Sequence, residues 1–206
     1  MTELLTPDWQ QPRPSPADVQ KMWARIALTP VDLPSEPFAK FIEQVRMNHD
    51  NGGAYLAAFD MEPGPVFDWY ASRNRLSEDG VLEGFVTHSV VRGALPELRI
   101  PDSIQPTDAC NTGFRMFDQF LLDGTLAHVL YQGGAYHKSQ GDGRAEKSFA
   151  LEVCDAMFGL RYGDILCNPN YDAWTPWFRG IAWDLTIVVF DSRTRRIWLL
   201  AITDTD

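Results

Sequence analysis

The sequence predicts an α+β domain, with helices packed on a small, mainly antiparallel sheet that ends in a C-terminal β-hairpin. Three observations carry this reading. Apolar residues recur at helical spacing as far as Phe158, the period changes to short β-rich runs from Ile165, and the last two runs, 183–190 and 197–203, are joined by the polar stretch Asp191 to Arg196, short enough to turn an antiparallel pair. A length of 206 residues suits one domain with its own core, and 45% apolar and 12% aromatic content is far from a disordered composition.

Residues 1–15 are expected to be an extended or disordered arm, because Pro7, Pro12 and Pro14 punctuate a segment with little that packs, leaving 16–206 as the single α+β domain. Ser15 then caps a helix with Pro16 in its first turn, Asp18 at the positive end of its dipole and Val19, Met22, Trp23 and Ile26 on one face; Thr29-Pro30 stops it. A second helix is expected from Ser35, burying Phe38, Phe41, Ile42 and Val45 and ending at Asn51-Gly52-Gly53. The run 54–59 reads as a buried strand.

The spacing of Val81, Leu82, Phe85, Val86 and Val90 predicts one helix over 77–93, and the prolines at 96, 101 and 106 predict a long loop over 95–108. From Asn111 the periodicity predicts either one helix interrupted near Asp123-Gly124 or two short ones, ended by Gly133-Gly134 and a glycine-rich loop to Gly143. Arg144–Phe158 is the clearest helix, with Phe149, Val153, Cys154, Met157 and Phe158 in one stripe and Gly159 past its end. Runs 165–167, 182–190 and 197–203 should be neighbouring strands, and successive apolar positions in the last two predict cover on both faces, one by helices and the other by the aromatic loop or a further layer.

A net charge of −10 disfavours nucleic acid and anionic membrane surfaces, which attract basic footprints, and favours a basic partner. No apolar run is long enough for a transmembrane helix, and the first residues lack a basic-then-apolar leader pattern, so a cytoplasmic location is expected. Cys110, Cys154 and Cys167 are widely spaced and unpaired in pattern, as in a reducing compartment.

No cofactor or metal is expected, because His49, His88, His128 and His137 lack ligand spacing, and P-loop, dinucleotide and nucleophile-elbow motifs are absent. His137, flanked by Tyr136 in the glycine-rich loop, is placed to meet a partner, or else is a plain solvated loop residue. Asp184, Asp204 and Asp206 collect near one end of the hairpin, either as a functional carboxylate patch or as ordinary exposed acids. Tyr171, Trp174, Trp177, Phe178, Trp183 and Trp198 crowd the last quarter, as interface anchors or as a satellite core beneath a loop.

Trp174-Thr-Pro-Trp177-Phe178, Ile181-Ala-Trp-Asp184 and the stretch from Trp198 to Asp206 resemble small bacterial proteins of toxin-immunity loci. The resemblance implies a cytoplasmic immunity protein that covers the active site of a cognate toxin and has no catalytic group; on that reading the acidic charge calls for a basic toxin, and Trp174, Trp177, Asp184, Asp204, Asp206, Tyr136 and His137 are the candidate partner-binding residues. The alternative is a small-molecule enzyme, with His137 or His128 as base and Asp184 or Asp204 as acid in a pocket between the helices and the C-terminal sheet.

Overall fold

The computed structural model describes residues 5, 7–34, 36–104 and 113–206. Its centre is a five-stranded antiparallel sheet in the order β1-β2-β5-β4-β3, formed by β1 (Leu28–Pro30), β2 (Gly53–Met61), β3 (Ile165–Asn170), β4 (Leu185–Asp191) and β5 (Arg196–Thr203). The expected hairpin is β4 with β5, in a register that sets Asp191 against Arg196 and Leu185 against Ile202. The run 54–59 becomes β2, which pairs with β5 on its other side, so the last strand lies at the middle of the sheet.

Alternate residues of these strands serve two separate cores, because successive side chains point to opposite faces. Phe59, Ile197, Leu199, Val188 and Phe190 face α1 (Pro16–Trp23), α3 (Pro65–Ser72), α4 (Val81–Val86) and α5 (Ser89–Ala94). Ala58, Trp198, Leu200, Ile187 and Val189 face α2 (Phe38–Asn48), α6 (Leu122–Gln132) and α7 (Arg144–Phe158). The domain is thus three layers, helices on each side of the sheet. Both faces are covered by helices, and the aromatic loop completes one of them through Phe178, Trp174 and Trp177.

Local chemistry explains the starts of the helices. Ser15 and Asp18 form a reciprocal capping box at α1, satisfying two backbone N–H groups that would otherwise be orphaned. The arm before it is held more firmly than its composition suggests. Pro14 is buried, the Trp69 indole N–H donates to the Gln11 carbonyl at 3.0 Å, and Arg13 pairs with Glu78 and Asp79 at 2.7 and 2.8 Å. What the prolines lack in apolar surface, α3 and the turn after it supply as hydrogen-bonding partners.

Four other expectations change. β1 follows α1 where only a helix stop was read; it is a three-residue edge strand, a position that tolerates Pro30. α3 was not foreseen, although Gly64-Pro65 is a helix-start signal. The single helix expected over 77–93 is two, α4 and α5, because the His88 imidazole accepts the Val90 N–H and starts a new helix there. α6 runs unbroken through Asp123 and Gly124, since Asp123 sits in its first turn, where an acid favours the helix, and pairs with Lys147 of α7 at 2.8 Å. Phe114 and Phe117 precede it as extended chain, Phe117 bridging to Cys167 of β3. The end of the expected loop, from position 105, and the helix start expected at Asn111 lie outside the described residues, as does Ser35.

Gly84 of α4 admits α1. A Cβ there would lie 2.2 Å from Cδ1 of Trp23, whose ring is wedged against Phe67 and Phe85 and has nowhere to swing. Gly84→Ala is therefore expected to destabilise the domain by about 1–3 kcal/mol, overpacking outweighing the gain in helix propensity. Urea denaturation measures it; an unchanged or raised midpoint would show that α1 moves away freely.

Candidate functional site

At one end of the sheet, the C-terminus of β5, the N-terminus of β4, the end of α2 and the end of α6 converge. Two aspartates organise that end. Asp184 precedes β4 and is 1% exposed; its carboxylate accepts the backbone N–H groups of Arg179, Gly180 and Ile181 and, at 2.5 Å, the Thr203 hydroxyl. Asp204 follows β5, is fully buried, and accepts the N–H groups of Asn51 at 2.9 Å and Ala135 at 2.8 Å. Each carboxylate is thus a staple: one ties the aromatic loop to β5, the other ties the turns after α2 and α6 to the chain beyond β5.

The glycines read as helix terminators have a further role here. A Cβ on Gly52 would fall 1.8 Å from the Thr203 carbonyl oxygen, and one on Gly134 would fall 1.8 Å from Oδ2 of Asp204. Only hydrogen at these positions lets both turns approach the end of β5.

Between these elements lies a cleft of about 390 Å³, whose lining includes His49, His128, Gln132, Tyr171, Trp183 and Asp184. His49, at the end of α2, is 4% exposed, and its Nδ1 lies 2.8 Å from the Val45 carbonyl oxygen. A carbonyl only accepts, so Nδ1 carries the proton and Nε2 keeps a lone pair. Burial pushes the imidazole below the usual histidine range, opposed by the Val45 hydrogen bond and the nearby Asp204 charge. His128 is exposed, Trp183 half-buried and Tyr171 54% exposed. The carboxylate of Asp184 adds no free base, because four donors already occupy it.

The depressed value of His49 has a consequence for stability. A group whose folded pKa lies below its unfolded value is bound to more protons in the unfolded chain, so stability is lost as pH falls from about 7 through the unfolded value. His88, lowered first by burial, acts in the same direction, while Glu83, raised by burial, acts in the opposite one. The expected result is that the urea midpoint of His49→Gln declines less than that of the wild type between pH 7 and pH 5; parallel declines would remove His49 from the linkage.

The expected site residues fall into three groups. Asp184 and Asp204 are interior staples, neither a surface patch nor exposed acids. Trp174 and Trp177 are half-buried, the first donating its indole N–H to the Thr186 hydroxyl at 2.8 Å and the second set edge-on to Tyr55 and Phe178, and Trp198 is 2% exposed in the opposite core. Rings this large find cover beneath a loop more cheaply than in water. Tyr136, His137 and Asp206 are exposed, and His137 pairs with Asp50 at 2.8 Å across the α2 turn, outside the cleft lining. Among the described residues no group of three His, Cys, Asp or Glu side chains is arranged to hold a metal ion.

A family of unknown function (DUF6183) has a model that matches residues 169–206. The matched stretch carries the aromatic loop, β4, β5 and both aspartate staples. No curated protein and no solved structure matches the chain. No described helix is long and apolar enough to cross a membrane.

Sequence reasoning missed His49 as a site residue, setting it aside with the other histidines for want of metal-ligand spacing. The signal was its spacing: four residues after Val45, it reaches back to a carbonyl at the end of the helix. A second feature also escaped notice. Phe120, Leu121 and Leu160 are 63%, 54% and 90% exposed, and Phe120 stacks on Tyr162 at 5.4 Å beside the edge strand β3.

Proposed function

We propose that the protein is a binding protein whose ligand is a small molecule seated in the cleft between α2, α6 and the C-terminal end of the sheet. The observation that carries this reading is the meeting of two imidazoles and two aromatic rings on one concave surface of about 390 Å³, within the size range of small-molecule sites. It keeps the location expected for an enzyme pocket and the expected His128, adds His49, and leaves out His137 and the acids as acting groups. Ligand-observed NMR against a fragment library tests it, using Tyr171→Ala and His128→Ala, both at exposed positions that leave the core alone. Binders lost in either variant support the cleft; if every binder is indifferent to both, the reading falls.

A second reading, the neutralisation of a basic partner protein in the cytoplasm as the immunity-type resemblance implies, is favoured by the Phe120, Leu121 and Leu160 surface. Exposed apolar residues in a patch of this kind are a common mark of protein interfaces, and the net charge of −10 would speed association with a basic partner. Co-expression with the product of the neighbouring gene tests it. Protection from toxicity that Leu160→Glu abolishes is the expected result, and absence of any complex refutes it.

A further inference from the structure

We infer that the cleft selects a planar heteroaromatic molecule, uncharged or cationic, that presents an N–H donor to Nε2 of His49 and lies against Tyr171 and Trp183. This rests on the small-molecule reading above and adds the chemical class of the ligand.

Three features of the lining converge on that class. The first is the direction of the hydrogen bond. The Nδ1 proton of His49 is committed to the Val45 carbonyl, so the ring offers the cleft an acceptor, and a ligand atom that meets it must be a donor. A carboxylate or phosphate oxygen would set lone pair against lone pair. The second is charge. Among the described residues no lysine or arginine lines the cleft, while the Asp184 carboxylate lies in its wall and that of Asp204 lies near enough behind it to act on His49, so the local field opposes anions. The third is shape. A half-buried indole at position 183 and a half-exposed phenol at 171 present flat π-faces or edges, with the apolar side chains of Leu185 and Ile202 in the same wall. Such surfaces favour a flat ring system, and more so if it carries positive charge. Gln132, which can donate or accept, and the Thr125 hydroxyl, whose proton goes to the Leu121 carbonyl at 3.1 Å and which therefore offers the cleft an acceptor, supply further polar contacts.

Four probes separate the possibilities: adenine and 2-aminobenzimidazole as planar N–H donors, AMP as the same ring with a phosphate, and benzoate as a planar anion. Binding to the full chain is followed by long-range ¹H–¹⁵N spectra of the histidine side chains and by the indole resonance of Trp183. The expected result is that at least one donor shifts Nε2 of His49, leaving Nδ1 in place, and binds more tightly than AMP or benzoate. His49→Phe should weaken that donor about tenfold, the loss of one hydrogen bond, and His49→Gln, which keeps an acceptor, should weaken it less. If either His49 variant fails to fold, Tyr171→Ala carries the decision: weaker binding supports the inference, and unchanged binding overturns it. Tighter binding of AMP or benzoate overturns the chemical class while leaving a small-molecule cleft. If none of the four moves His49, His128 or Trp183, the inference falls, and the cleft reading is then judged separately by the fragment screen.

Discussion

Asp184→Ala is expected to cost on the order of 3–5 kcal/mol of folding free energy, a large share of a typical domain's stability. The alanine leaves three backbone N–H groups of one loop, at Arg179, Gly180 and Ile181, and the Thr203 hydroxyl without their acceptor in a site that is 1% exposed. Asp184→Asn should be milder. Its carbonyl can take the place of Oδ2 under the three N–H groups, and its N–H₂ can turn to the Thr203 hydroxyl, which accepts as well as donates. Urea denaturation at constant m-value measures both changes. A loss below about 1 kcal/mol for the alanine would mean that the loop finds other acceptors, and the staple would be incidental. Because the same loop carries Trp183 into the cleft, Asp184→Ala should also weaken any cleft ligand even where the domain stays folded.

Trp198→Ala is expected to cost about 3–5 kcal/mol, and Trp183→Ala about 1 kcal/mol or less. Trp183 lies in the turn before β4, outside the strand expected from it, and Trp198 lies within β5, so the two indoles have different surroundings. Trp198 is 2% exposed within β5, packed on Phe38 at 5.3 Å, so truncation leaves a cavity between the sheet and α2. Trp183 is half-buried at the cleft, where water fills the space left behind. Thermal and urea unfolding of the two variants, compared side by side, check the difference. Equal losses would place Trp183 in the core and remove it from the cleft's recognition surface.

The same contrast shows what could be read from the chain alone. α7 was legible to the residue because an amphipathic stripe and a terminal glycine are local features, and the start of α1 was legible because Ser15, Pro16 and Asp18 are local signals, although the helix ends at Trp23, before the expected Ile26. The hairpin was legible because its turn is short and its strands are β-rich. α3 and β1 were not, since an eight-residue helix and a three-residue strand hold too few periods to stand out, and both depend on neighbours for cover. The site was only partly legible. A cleft was expected at the helix–sheet junction and one lies there, but the acids were assigned by type, and a carboxylate's type does not reveal how many donors surround it.

Local pattern by itself therefore determined the α+β class, the strongest helices, the C-terminal hairpin and the crowding of rings and acids into the last quarter of the chain. Tertiary structure alone decided that the last strand sits in the middle of the sheet, that Asp184 and Asp204 are staples, that Trp198 is core while Trp183 faces a cleft, and that His49 joins it. The physical reason is range. Helical and strand periods arise from residues a few positions apart, whereas burial and hydrogen-bond saturation arise from pairs such as Asn51 with Asp204 and Thr203 with Asp184, which only the folded chain brings together.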